Sequence, residues 1–168
     1  MIEKLFTECD KSCVESIAKF LAGNIGGKPN ITVRGDAVYV NIADGDIDLI
    51  NIRVSNEISE LILPVIPDKV IPALEILGLK KLAEFISKLK VLPSIIAISR
   101  VGASRALYII LQGRIGSEVF PNIKVIIREN YSEASASYCR ITPEEDTCEL
   151  LRSLLKIAKD IWVKIFKA

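Results

Sequence analysis

Apolar and polar residues along this chain follow two periods. From Ser94 to Arg128 the sequence is SIIAISRVGASRALYIILQGRIGSEVFPNIKVIIR, short apolar runs separated by Gly and Pro. Runs of this length and punctuation, rich in β-branched side chains, predict strands at Ile95–Ile98, Leu107–Leu111 and Ile123–Ile127. Their connections are too short for crossovers, so neighbours should be antiparallel. Asn30 to Val54 reads the same way, as a meander of Ile31–Arg34, Ala37–Ile42 and Ile47–Val54. Gly35-Asp36 and Asp44-Gly45-Asp46 supply its turns. A Ser-rich connection over Glu129–Ser137 leads to a further strand at Ala136–Ile141.

The other period is helical. Residues 2–22 carry Val14, Ile17, Ala18 and Leu21 on one side, with Asp10 able to cap an inner start and Gly23, Gly26 and Gly27 at the end. Residues 57–92 read as helical but broken by Pro64, Pro67 and Pro72. Asp68 suits an N-cap there, and Gly78 a stop. Leu82, Phe85, Ile86 and Leu89 share one face of the second piece. Thr142-Pro143-Glu144-Glu145 has the form of a capping box, and predicts a last helix over Pro143–Phe166. At ~24 residues it would span ~36 Å. Its stripe is Leu151, Leu154, Leu155, Ala158, Ile161, Trp162 and Ile165.

Together these elements predict one α+β domain over residues 1–168. It has a mainly antiparallel sheet, helices packed on one face and a long C-terminal helix. No internal repeat is visible. A sheet covered on one face leaves the other to solvent or a partner.

Composition narrows the setting. With 22 basic and 21 acidic residues, the net charge of +1 gives no global pull toward nucleic acid or membrane. The chain lacks histidine, and has one methionine and one glutamine, Gln112. Abundant isoleucine and charge with few thermolabile residues points to a thermophile. Charges throughout residues 1–22 do not fit a signal peptide, and the apolar stretch Leu61–Leu79 is interrupted by Asp68, Lys69, Glu75 and prolines, so the expected location is cytoplasmic, away from membranes. Cys9, Cys13, Cys139 and Cys148 match no common zinc spacing. Buried thiols are the simple expectation, and disulfides the alternative, Cys139 with Cys148 first.

Without histidine, Ser-His-Asp and Cys-His nucleophiles are excluded. Ser104 lacks the second glycine of a nucleophile elbow. There is no phosphate-binding glycine fingerprint, and Gly113-Arg114-Ile115-Gly116-Ser117 reads as a plain loop. Asp44, Asp46 and Asp48 form the densest carboxylate cluster. On an extended strand, alternate carboxylates point the same way, and a pair could hold Mg²⁺ for phosphoryl transfer. A solvated hairpin turn accounts for them as well. No cofactor is expected.

The arginines carry more. Of eight, seven lie in or beside predicted strands, whereas Lys124 is the one lysine placed in a strand. By alternation, Tyr108, Gln112, Arg114, Lys124, Arg128, Tyr138 and Arg140 would share one sheet face if the chosen sides of their strands coincide. Arginine forks onto phosphate and tyrosine stacks on bases, so this face suits single-stranded nucleic acid. The same residue types are enriched at protein interfaces. The leading expectation is a non-catalytic interaction module or subunit of a larger complex, with a protein partner or a second copy. Nucleic-acid binding on the Arg/Tyr face is the alternative, and metal-assisted phosphoryl transfer a third.

Overall fold

The structure is a computed structural model and describes residues 1–89, 92–113 and 122–166, apart from the Pro67 side chain. Two helices open the chain, α1 (Ile2–Phe6) and α2 (Lys11–Ile25). Four strands follow: β1 (Lys28–Arg34), β2 (Ala37–Asp44), β3 (Ile47–Val54) and β4 (Ile58–Pro64). Helices α3 (Pro67–Ile76) and α4 (Lys80–Ser87) lead to β5 (Ile95–Val101), β6 (Ala106–Gln112), β7 (Ile123–Arg128) and β8 (Tyr131–Ser135). The short strands β9 (Arg140–Thr142) and β10 (Glu145–Asp146) precede α5 (Glu149–Phe166).

The strands form one sheet in chain order, β1 to β10, every neighbouring pair antiparallel. Gly35 (φ 62°) and Gly45 (φ 61°) adopt the positive φ that a two-residue hairpin loop needs at its first position. Strands β4 and β5 pair along seven residues, from Ile58 opposite Val101 to Pro64 opposite Ile95, although two helices separate them in the chain. All helices cover one face. Their buried side chains join Val40, Ile42, Ile52, Leu61, Ile98, Ile109, Val125 and others in a single cluster. Every residue of the predicted α5 stripe is buried there.

The α+β class, the antiparallel sheet, the one-sided helices and the C-terminal helix are as expected, while several elements differ. Residues 2–22 divide at Thr7–Asp10, where the Asp10 carboxylate accepts a hydrogen bond from the Cys13 N–H at 2.9 Å and caps α2. Ile58–Pro64 is a strand. Its core side carries Ser59, Leu61 and Leu63 and its open side Ile58, Glu60 and Ile62, so polar and apolar residues occur on both faces and the period-2 signal is lost. Tyr131–Ser135, read as part of a loop, is β8, whose core positions are the small Ser132 and Ala134. The strand placed at 136–141 is instead a connection followed by β9. Helix α3 begins at Pro67 after Ile66, so Asp68 stands in its first turn. Thr142–Glu145 is a hairpin: Thr142 pairs with Glu145, and its Oγ1 accepts from the Glu144 N–H at 3.2 Å. Helix α5 therefore starts at Glu149 and has 18 residues, ~27 Å long. All four cysteines are in disulfides, Cys9–Cys13 and Cys139–Cys148.

With β4 recognised, the element order shows a repeat that the sequence concealed. Helix α2, the meander β1–β4 and α3 are followed by α4, the meander β5–β8 and, after a small hairpin, α5. The pairing of β4 with β5 fuses the two meanders.

Candidate interaction face

Residues directly opposite in antiparallel strands share a face, so the registers trace which side chains line the helix-free side. One row crosses eight strands as Thr32, Tyr39, Arg53, Glu60, Ser99, Tyr108, Ile126 and Glu133. The adjacent row runs Asn30, Asn41, Asn51, Ile62, Ala97, Ile110, Lys124, Ser135 and Arg140. The chain thus places polar residues at both ends of this face and gathers its apolar ones in the centre beside Glu60 and Ser99, where Ile58, Ile62, Pro64, Ala97, Ile110 and Ile126 are half-buried and Ile95 is 38% exposed.

The registers put Tyr108, Gln112, Lys124, Arg128 and Arg140 on this one face, Gln112 opposite Ile95 at its margin. Tyr138 does not join them by strand alternation. It sits in the connection between β8 and β9 with 77% of its surface exposed. Arg114 lies outside the described residues, as does most of the Gly113–Ser117 loop.

Local contacts hold the charged groups in place. Arg128 donates from Nη2 to the Tyr108 hydroxyl at 3.3 Å, and this bond holds the guanidinium above its ordinary pKa. Tyr131, opposite Arg128, donates to the Glu133 carboxylate at 2.7 Å, which raises the phenol pKa and keeps it neutral. Arg140 pairs with Glu145 at 2.8 Å. Exposed pairs of this kind contribute only about 0–1 kcal/mol, so their consequence is orientation.

Sequence reasoning missed the β1–β3 end of the face. There the Arg53 guanidinium lies over the Tyr39 ring at 5.8 Å, and the Asn41 amide donates to Asn51 at 2.8 Å and to Asp48 at 2.9 Å. Tyr39, Asn41, Asn51, Arg53 and Asn30 border a shallow hollow of about 330 Å³. Alternation in Ala37–Ile42 and Ile47–Val54 already held the signal, since Tyr39, Asn41, Asn51 and Arg53 fall on the polar side of both runs. Lys28 is a second strand lysine, at the outer edge of β1.

The aspartates are arranged differently from the metal-binding expectation. Asp48 is opposite Ala43 and Asp44 opposite Ile47, so Asp44 and Asp48 point to opposite faces, with Asp46 in the turn between them. The two-residue loop and a bulge between Ile42 and Ala43 impose that phase. No group of three or more Cys, Asp or Glu side chains among the described residues is placed to hold a metal ion. No helix among them is long and apolar enough to cross a membrane.

The fold and this face define an α+β protein with one helix-armoured and one open sheet face. Comparison with protein-family models, curated proteins and solved structures finds no match to this chain.

Proposed function

We propose that this protein is a non-catalytic interaction module, a subunit that docks a protein partner on the open face of its sheet. The supporting observation is the layout of that face. Ile58, Ile62, Ala97, Ile110 and Ile126 make an apolar strip across β4–β7 beside Glu60 and Ser99, with Tyr39 and Arg53 toward one end and Tyr108, Arg128 and Tyr131 toward the other, an apolar patch with a polar surround of the kind interfaces use. The apolar stripe of α5 is consumed by the protein's own core. A cytoplasmic setting in a thermophile belongs to the same proposal, since intracellular disulfides are common in hyperthermophiles.

The test is affinity purification from the native host with wild type, with Ile62→Asp/Ile110→Asp on the face, and with Lys156→Asp on the exposed side of α5. A defined partner, or a second copy, should be retained by wild type and the helix variant and fall at least tenfold with the face variant. A monomer whose co-purifying set is identical in all three proteins overturns the reading.

Nucleic acid is the second reading, favoured by the two guanidinium–phenol pairs, Arg53 with Tyr39 and Arg128 with Tyr108. They are four strands apart, ~19 Å along the row. Fluorescence anisotropy with labelled single-stranded DNA and RNA should then show salt-sensitive binding that weakens in Arg53→Ala/Arg128→Ala. Absence of binding at low salt removes this reading and leaves the first intact.

A further inference from the structure

The helix-covered side holds a cation that the core does not explain. Ser59 and Arg100 are the buried polar side chains among the described residues, and they face each other across β4 and β5. Arg100 is 7% exposed. Its Nη2 donates to the Ser59 hydroxyl at 2.7 Å and to the Ser55 carbonyl at 3.1 Å. Its Nε has no protein partner, and no carboxylate among the described residues pairs with it. Burial lowers its pKa accordingly. A guanidinium held by one hydroxyl and one carbonyl is a poor core element, and an apolar side chain of similar volume would serve better.

The remaining donor nitrogen, Nη1, reaches the turn after β5. A Cβ on Gly102 would stand 2.7 Å from it. Arg100 and Gly102 line an open cleft of about 720 Å³ between α1, this turn and the end of α5. Phe166 gives it a half-exposed apolar wall, with Phe6 and Ile165 buried behind it. Arg105 is fixed on its rim by stacking on Trp162 and Phe166 and by donating to the Phe166 carbonyl at 3.0 Å. Lys4 adds a further positive charge, while Glu3 and Glu8 border the same cleft.

We propose that this cleft binds a small monocarboxylate with an apolar body, its carboxylate on Arg100 and its body against Phe166. A buried guanidinium favours an oxyanion through charge-assisted hydrogen bonds. The two glutamates disfavour polyanions, and the Phe166 ring favours an apolar body. A free organic acid and a peptide C-terminus offer the same carboxylate chemistry. The proposal is independent of the open sheet face.

Trp162, the chain's only tryptophan, stacks on Phe166 with ring centroids 5.3 Å apart and donates from Nε1 to the Arg105 carbonyl, so its fluorescence reports on the cleft. Benzoate, the tripeptide Gly-Gly-Phe with a free or amidated C-terminus, and inorganic phosphate are titrated into the full chain. Saturable binding of benzoate is expected, at least tenfold tighter than phosphate. The free tripeptide binding and its amide failing would assign a peptide terminus as a source; benzoate alone binding would assign a free acid. Arg100→Met should weaken binding at least tenfold. Gly102→Ala, which keeps the cation but displaces it, should also weaken binding if Arg100→Met does not fold. Ile62→Asp/Ile110→Asp should bind as wild type, which separates this inference from the docking reading. No saturable carboxylate binding, phosphate binding as tightly as benzoate, or unchanged affinity in Gly102→Ala overturns the proposal.

Discussion

The two meanders share a scaffold and differ in what they display. In each, core-side positions are filled by Val, Ile and Leu, as Val40, Ile42 and Ile52 match Ile109, Leu111 and Val125. On the open side each carries an Arg–Tyr pair, Arg53 with Tyr39 and Arg128 with Tyr108, but β1–β3 add the amides Asn30, Asn41 and Asn51, while β7–β9 add Lys124, Tyr131 and Arg140. Packing constrains one face and leaves the other free to diverge. The edges differ as well. β1 ends the sheet with seven exposed or half-exposed residues, protected by Lys28, Pro29 and Arg34, whereas the other edge closes on the two-residue β10. Each meander also has a disulfide beside a helix, Cys9–Cys13 at the start of α2 and Cys139–Cys148 just before α5.

The seam between the meanders offers the largest test. Leu61 and Ile98 are opposite each other across β4 and β5 and fully buried. Ile98→Ala should cost about 2–5 kcal/mol through lost burial and a residual cavity. Denaturant unfolding should remain a single transition, because both meanders share one core; two separated transitions would show that they fold as separate units.

Breaking the disulfides probes the two helix starts at smaller scale. Replacing Cys139 and Cys148 by serine opens a link of sequence separation 9, against 4 for Cys9 and Cys13. The first loss should be about 2–3 kcal/mol. It should exceed the second by roughly 0.6 kcal/mol, the loop-closure difference for about a doubling in length. Equal midpoints for the two double variants, measured under oxidising conditions, would refute that ordering.

The smallest effects are expected on the open face. Arg53→Ala and Arg128→Ala should each change stability by less than about 0.5 kcal/mol, as thermal melts can measure. A larger loss in either would mean that the face helps to hold the sheet together.

Much of this architecture is written in local patterns. Strands with β-branched runs between Gly and Pro, the Asp10 cap and the α5 stripe all rest on short-range sterics and periodicity, and the structure contains them. The placement of Tyr108, Lys124 and Arg128 on one side follows from the same alternation. Where burial depends on distant partners, local pattern is misleading. Ser59 is buried because Arg100, 41 residues away, donates to it. The isoleucines of β4 face outward because the centre of the open face is apolar. Thr142–Glu145 carries a helix-start signature, yet pairing with β9 and the Cys139–Cys148 link claim that stretch for a hairpin. Short-range sterics thus determined most element types and the α+β class. The repeat, the joining of β4 to β5, the face shared by both meanders and the cleft over Arg100 were decided by tertiary contacts, because each joins groups that are remote in the chain.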